Sequence, residues 1–193
     1  MYAQTTTHVT LLARLSGGAD PAAWREFSER YEELIRAFAR RRGLPPSDCD
    51  DVVQDVMLAL TKAMPGFEYD PSKGKFRSYL KTVTLHAISR KSRQNPSMAH
   101  LGSSGGSDIG PAEDEVTWEA EWRQYHLRTA MKAIRTEFNP ADLAAFDAYA
   151  VNGQDPATVA SELGISVDSV YQAKSRVLKK LSQVIARQVE EEG

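Results

Sequence analysis

Cysteine is nearly absent. Cys49 stands alone, so the chain can form no internal disulfide and no cysteine-rich zinc site. Long apolar runs are missing too, and no membrane-crossing helix is expected. The opening MYAQTTTHVT lacks the basic and apolar blocks of a secretory signal. These absences point to a cytoplasmic protein. The chain shows no Gly-rich phosphate loop, no Ser/His/Asp set and no pairing of metal-ligand residues. An enzyme, such as a metal-dependent nuclease built on the acids from Asp48 to Asp55, therefore has little support, and neither a cofactor nor a metal site is expected. Apolar–polar alternation never persists with period two, which leaves an all-α chain. A surplus of positive charge is also lacking: the formal net charge is −2.

The distribution of charge says more than its total. Lys73, Lys75, Arg77, Lys81, Arg90, Lys91 and Arg93 follow one another without an intervening acid. A second basic group comprises Lys174, Arg176, Lys179, Lys180 and Arg187. The balancing acids lie at Asp48–Asp55, at Asp108–Glu121 and in the tail Glu190–Glu192. Such asymmetry suits nucleic-acid contact.

Helical periodicity organises the chain. A short helix is expected near Thr7–Leu15. A long one follows over Pro21–Arg42, capped by Asp20, with Trp24, Phe27, Tyr31, Leu34, Ile35 and Phe38 as its inward stripe. The third spans about Asp48–Met64, with Ser47 as cap and Asp50 answering in a capping box. Its buried side is Val52, Val53, Val56, Met57 and Leu60. A polar loop, GFEYDPSKGK, leads into a helix over Phe76–Arg93 with a basic outer face. Residues 96–117, rich in Gly and Ser and then acidic, read as a flexible linker. Helices resume near Trp118 and again at Pro140–Val151.

The stretch PATVASELGISVDSVYQAKSRVLKKL reads as two helices about a turn at Gly164. Asp155 and Ser166 serve as caps. Val170, Ala173, Val177, Leu178 and Leu181 form the buried stripe of the second helix. Ser169, Tyr171, Gln172, Lys174, Ser175, Arg176 and Lys179 supply donors for base edges and phosphates. This is a helix-turn-helix candidate; a helical hairpin with a solvated face is the plainer alternative.

Three motifs in order resemble the extracytoplasmic-function sigma factors of bacterial RNA polymerase, the smallest members of the sigma-70 family. They are Asp48, Asp51, Gln54 and Asp55; then Phe76, Arg77, Tyr79 and Leu80; then Val159, Ala160, Leu163, Gly164, Ile165 and Ser166. Tyr79 stands where Trp is frequent, and Tyr171–Gln172 where a basic residue and Ser are common. The resemblance implies two small helical domains joined by a flexible linker. Residues 1–95 would be a region-2 bundle that binds core polymerase and opens the minus-ten element. Residues 118–193 would be a region-4 helix-turn-helix domain that reads the minus-thirty-five element.

In this reading Asp51, Gln54 and Asp55 contact the polymerase core enzyme. Tyr69, Lys73, Lys75, Arg77, Tyr79, Lys81, Arg90 and Arg93 hold or read the unpaired minus-ten strand. Ser169, Tyr171, Gln172, Lys174, Ser175, Arg176 and Lys179 face promoter duplex. The partners implied are RNA polymerase core, promoter DNA and an anti-sigma factor or other regulator. The rival is a helix-turn-helix regulator that acts without docking on polymerase; it leaves the N-terminal half without a task. For the acids from Asp108 to Glu121 two readings stay open. They are a solvated tether, or they cover the DNA-binding faces.

Overall fold

The computed structural model describes residues 8–18, 20–68, 70, 75–94 and 111–192. All regular elements among them are helical. They form two compact units, one reaching Tyr125 and the other comprising His126–Glu190.

In the first unit, α1 (His8–Ser16) and α2 (Pro21–Arg41) are joined by a tight connection. Pro21 suits the first helical position, where its missing N–H costs nothing. The Asp20 carboxylate accepts from the Ala22 and Ala23 amides at 3.0 Å and from the Arg14 guanidinium at 3.0 Å. These bonds, the Ala23 amide first and Arg14 next, hold its carboxyl below the usual aspartate range.

Helix α3 spans Pro46–Ala63 and starts earlier than the sequence pattern predicts. Pro45 is its N-cap and no side chain caps it. Ser47 lies inside the first turn, and Asp50 pairs with Arg36 at 2.8 Å instead of closing a capping box. Pro46 explains the shift, since its fixed φ starts the helix before a Ser cap is needed. Val52, Val53, Val56 and Leu60 are buried as expected, with Met57 packed beside them. Helix α4 (Phe76–Gln94) buries Phe76, Leu80, Thr84, Ala87 and Ile88.

Helix α5 (Pro111–Ile134) departs most from expectation. Residues 111–117, assigned above to the linker, are helical; residues 96–110 lie outside the described residues. Pro111 opens the helix, and Glu113 and Asp114 complement its dipole. Trp118, Trp122 and Tyr125, expected in the C-terminal domain, are buried in the core of the first unit. Trp118 meets Phe38 edge-on at 5.0 Å between ring centroids. Trp122 and Tyr125 stack on Tyr31 at 6.3 and 5.6 Å.

In the second unit, Asn139 caps α6 (Pro140–Phe146), which continues as one turn of π-helix over Asp147–Val151. Asp155 caps α7 (Pro156–Leu163) by accepting from the Ala157 and Thr158 amides. Gly164 closes α7 in the left-handed region at φ 65°, where a side chain would be strained. Helix α8 (Val167–Glu192) begins under the Ser166 cap, whose hydroxyl accepts from the Ser169 amide at 3.1 Å. Val170, Ala173, Val177 and Leu181 are buried as the periodicity predicts. Leu178 is not: it is 46% exposed, because it lies about 100° around the helix from Val177.

Candidate nucleic-acid interface

The packing of α3 against α4 sets acids of the one beside bases of the other. Asp51 and Asp55 are one turn apart on α3 and so share a face. Lys91 and Arg90 come from the last turns of α4. Lys91 bonds to Asp51 and lies 3.6 Å from the largely buried Asp48. The bond it donates to Asp51 raises the Lys91 ammonium above the ordinary lysine range. Arg90 pairs with Asp55. Gln54 is exposed beside them. The three residues expected to meet polymerase thus surround an internal set of ion pairs, and two of them belong to it.

The basic face of α4 is less bare than the sequence suggests. Arg77 pairs with Glu119, and its guanidinium carbon lies 6.0 Å from the Trp122 ring centroid. Lys81 pairs with Glu115. Arg93 is exposed and donates to the Ser89 carbonyl at 3.2 Å. Lys75 is exposed just before the helix. Tyr79 is half-buried, stacked on Phe67 at 5.7 Å and tilted against Phe76 at 6.0 Å. Its ring is therefore part of the packing around Phe67 and Phe76 as well as a candidate base contact. Tyr69 and Lys73 lie outside the described residues. Glu115 and Glu119 belong to the acidic stretch that one sequence reading set over the DNA-binding faces; their pairing with Lys81 and Arg77 carried no local signal.

On α8, Gln172, Ser175 and Lys179 are exposed along one side. Tyr171 is 47% exposed. Its ring meets Tyr149 edge-on at 5.5 Å, and the Lys174 ammonium lies 4.8 Å from the Tyr149 centroid. The π-helical turn carries Tyr149, so that turn steadies two candidate contacts at once. The Arg176 guanidinium donates to Asp142 at 2.7 Å. Ser169 is half-buried and its hydroxyl lies 2.8 Å from that of Ser166. That contact engages it in the helix start, which leaves it less available to phosphate than expected. Tyr149 and Asp142 carried no sequence signal, because nothing local marks a residue that supports another across a turn.

Among the described residues, no group of three or more His, Cys, Asp or Glu is arranged to hold a metal ion. No helix among them is long and apolar enough to cross a membrane.

Comparison with known proteins places this geometry. Residues 27–96 match the family model for Sigma-70 region 2, which takes in most of α2, α3 and α4. RNA polymerase sigma factor NccH of Alcaligenes xylosoxydans xylosoxydans is 28% identical over 177 residues, covering 90% of this chain and 92% of that protein. RNA polymerase sigma factor CnrH of Cupriavidus metallidurans is 26% identical over 183 residues, covering 91% and 93%. A solved structure of CnrH with the cytosolic domain of CnrY is 24% identical, covers 92% of this chain and 96% of that one, and superposes with a TM-score of 0.38. Residues 27–96 thus match Sigma-70 region 2, and the chain is similar along nearly its whole length to RNA polymerase sigma factors.

Proposed function

We propose that this chain is an RNA polymerase sigma factor that acts in the cytoplasm, without catalysis of its own, to bring core polymerase to promoters. One observation carries most of the reading: the region-2 match falls on α2–α4, where the acids of α3 and the bases of α4 share one surface. Asp51, Gln54 and Asp55 would form charge-assisted bonds with basic groups of the polymerase clamp. Lys75, Arg77, Lys81, Arg90 and Arg93 would hold the backbone of an unpaired strand, a task that needs phosphate contacts beside stacking groups. Tyr79 stands next to them as such a group. The exposed side of α8 would lie in a major groove, with Gln172 and Arg176 nearest base edges and Lys174 and Lys179 nearest phosphates.

Run-off transcription with purified core polymerase on a promoter library tests the whole reading. Template-specific transcripts that require the chain support it. Binding to duplex DNA without co-purification of core polymerase would favour the regulator that never docks on polymerase.

A further inference from the structure

The first half of α5 lies along the strand-holding face of α4 in an ordered way. Arg77 and Lys81 are four residues apart on α4. Glu115 and Glu119 are four residues apart on α5. Glu119 meets Arg77 and Glu115 meets Lys81, so the two pairs run in opposite directions and form an antiparallel ladder. Two more pairs flank it: Arg42 with Asp114 at 2.7 Å, and Arg41 with Glu121. Behind the ladder Trp118, Trp122 and Tyr125 are buried against Phe38 and Tyr31, which fixes the helix in place. The carboxylates of Glu115 and Glu119 thus repeat about every 6 Å along a rod, opposite the cations assigned to DNA.

We infer that Glu115 and Glu119 are an internal competitor for the single-stranded nucleic acid held by α4. The inference rests on the reading of Arg77 and Lys81 as phosphate ligands. In the free chain the two carboxylates neutralise those cations. A strand that binds there must displace them, so its phosphates are exchanged for carboxylates and not for water. The aromatic anchors keep α5 seated during the exchange; only the outer side chains swing away. The free protein is thereby a weak binder of melted DNA, and a surface that offers other partners to Glu115 and Glu119 makes it a stronger one.

The test is fluorescence anisotropy of a labelled single-stranded oligonucleotide with the full chain at low salt. Three proteins are compared: the parent, Glu115→Gln/Glu119→Gln, and Arg77→Ala/Lys81→Ala. The Gln variant keeps the size of both side chains, and circular dichroism checks its helicity. Its affinity is expected to rise several-fold, up to about tenfold, as befits two partly exposed ion pairs. The gain should shrink as salt approaches about 0.15 M, where screening has weakened the ladder. The alanine variant should bind more weakly than the parent. If the Gln variant binds like the parent while the alanine variant is weakened, competition is refuted and the DNA-binding reading stands. If neither differs from the parent, α4 does not hold the strand there and both fall. Should the double Gln variant unfold, Glu115→Gln alone, at a side chain 52% exposed, keeps the question open to measurement with a smaller expected gain.

Discussion

Arg90 of α4 and Asp55 of α3 are ion-paired, so a residue proposed to hold DNA is the partner of one proposed to hold polymerase. Each new ligand would take one member of the pair and release the other. Substituting Asp55 by Asn should therefore weaken binding to core polymerase and strengthen binding of the free chain to DNA. An exposed pair is worth less than about 1 kcal/mol, so the second effect should be a few-fold at most. Paired titrations with core polymerase and with a labelled single-stranded oligonucleotide check it; a fall in both affinities would show that the two ligands do not share the pair.

Arg176 offers a sharper test of base reading. Asp142 restrains its guanidinium at 2.7 Å, which leaves further donors to face a base. Arg176→Ala should relax discrimination at one or two base positions by about 1–3 kcal/mol. Selection from a randomised minus-thirty-five element reads this directly. A uniform loss over all sequences would place Arg176 on phosphate.

Stability of the helix-turn-helix depends on its caps. Asp155 satisfies the Ala157 and Thr158 amides, and Ala at that position leaves both without a side-chain acceptor. Asp155→Ala should cost about 1 kcal/mol. Thermal unfolding of the full chain, followed by amide exchange, should place the loss in α7 and α8 and leave α2–α4 unaffected.

The Asp20 cap makes a prediction about acid. Its carboxyl is held low in the folded chain by the Ala23 amide first and by Arg14 next. The unfolded chain then binds the proton more readily, so stability rises with pH through this window. The contribution is full above the ordinary aspartate value, about 3.9, and is lost as pH falls through the lower folded value. Asp20→Asn should remove that part of the acid limb. Urea titrations of both proteins from neutral pH downward measure it, and identical slopes would assign the acid limb to other carboxylates.

What the sequence made legible was local. The stripe of α2, the Asp155 cap, the Gly164 turn and the buried side of α8 all depend on residues within a few positions of one another. Both the fold class and the helix-turn-helix follow from them. The start of α5 did not. Its first turns look like more acidic linker until Trp118 and Trp122 find Phe38 and Tyr31, far earlier in the chain. Which acid meets which cation of α4 was hidden for the same reason: Lys81 and Glu115 are 34 residues apart, and Lys91 and Asp51 are 40 apart. An unbroken basic run shows which cations share a helix and says nothing of which acids the fold brings to them. The Ser47 cap failed on a local rule, because Pro46 offered an earlier start.

The aromatic anchors of α5 have an optical consequence. The chain holds 3 tryptophans, and Trp118 and Trp122 both lie in that helix, shielded from water. Trp24, on α2, is partly buried beside Phe27 and contributes a steady background. Indole emission moves to longer wavelength when the ring is hydrated, so the colour of the protein's own fluorescence reports whether those rings stay seated. Exchange of the outer carboxylates alone would leave the spectrum in place, whereas lifting of the whole helix would turn it red. An unlabelled sample therefore distinguishes a side-chain swap from an undocked helix as polymerase or DNA is added.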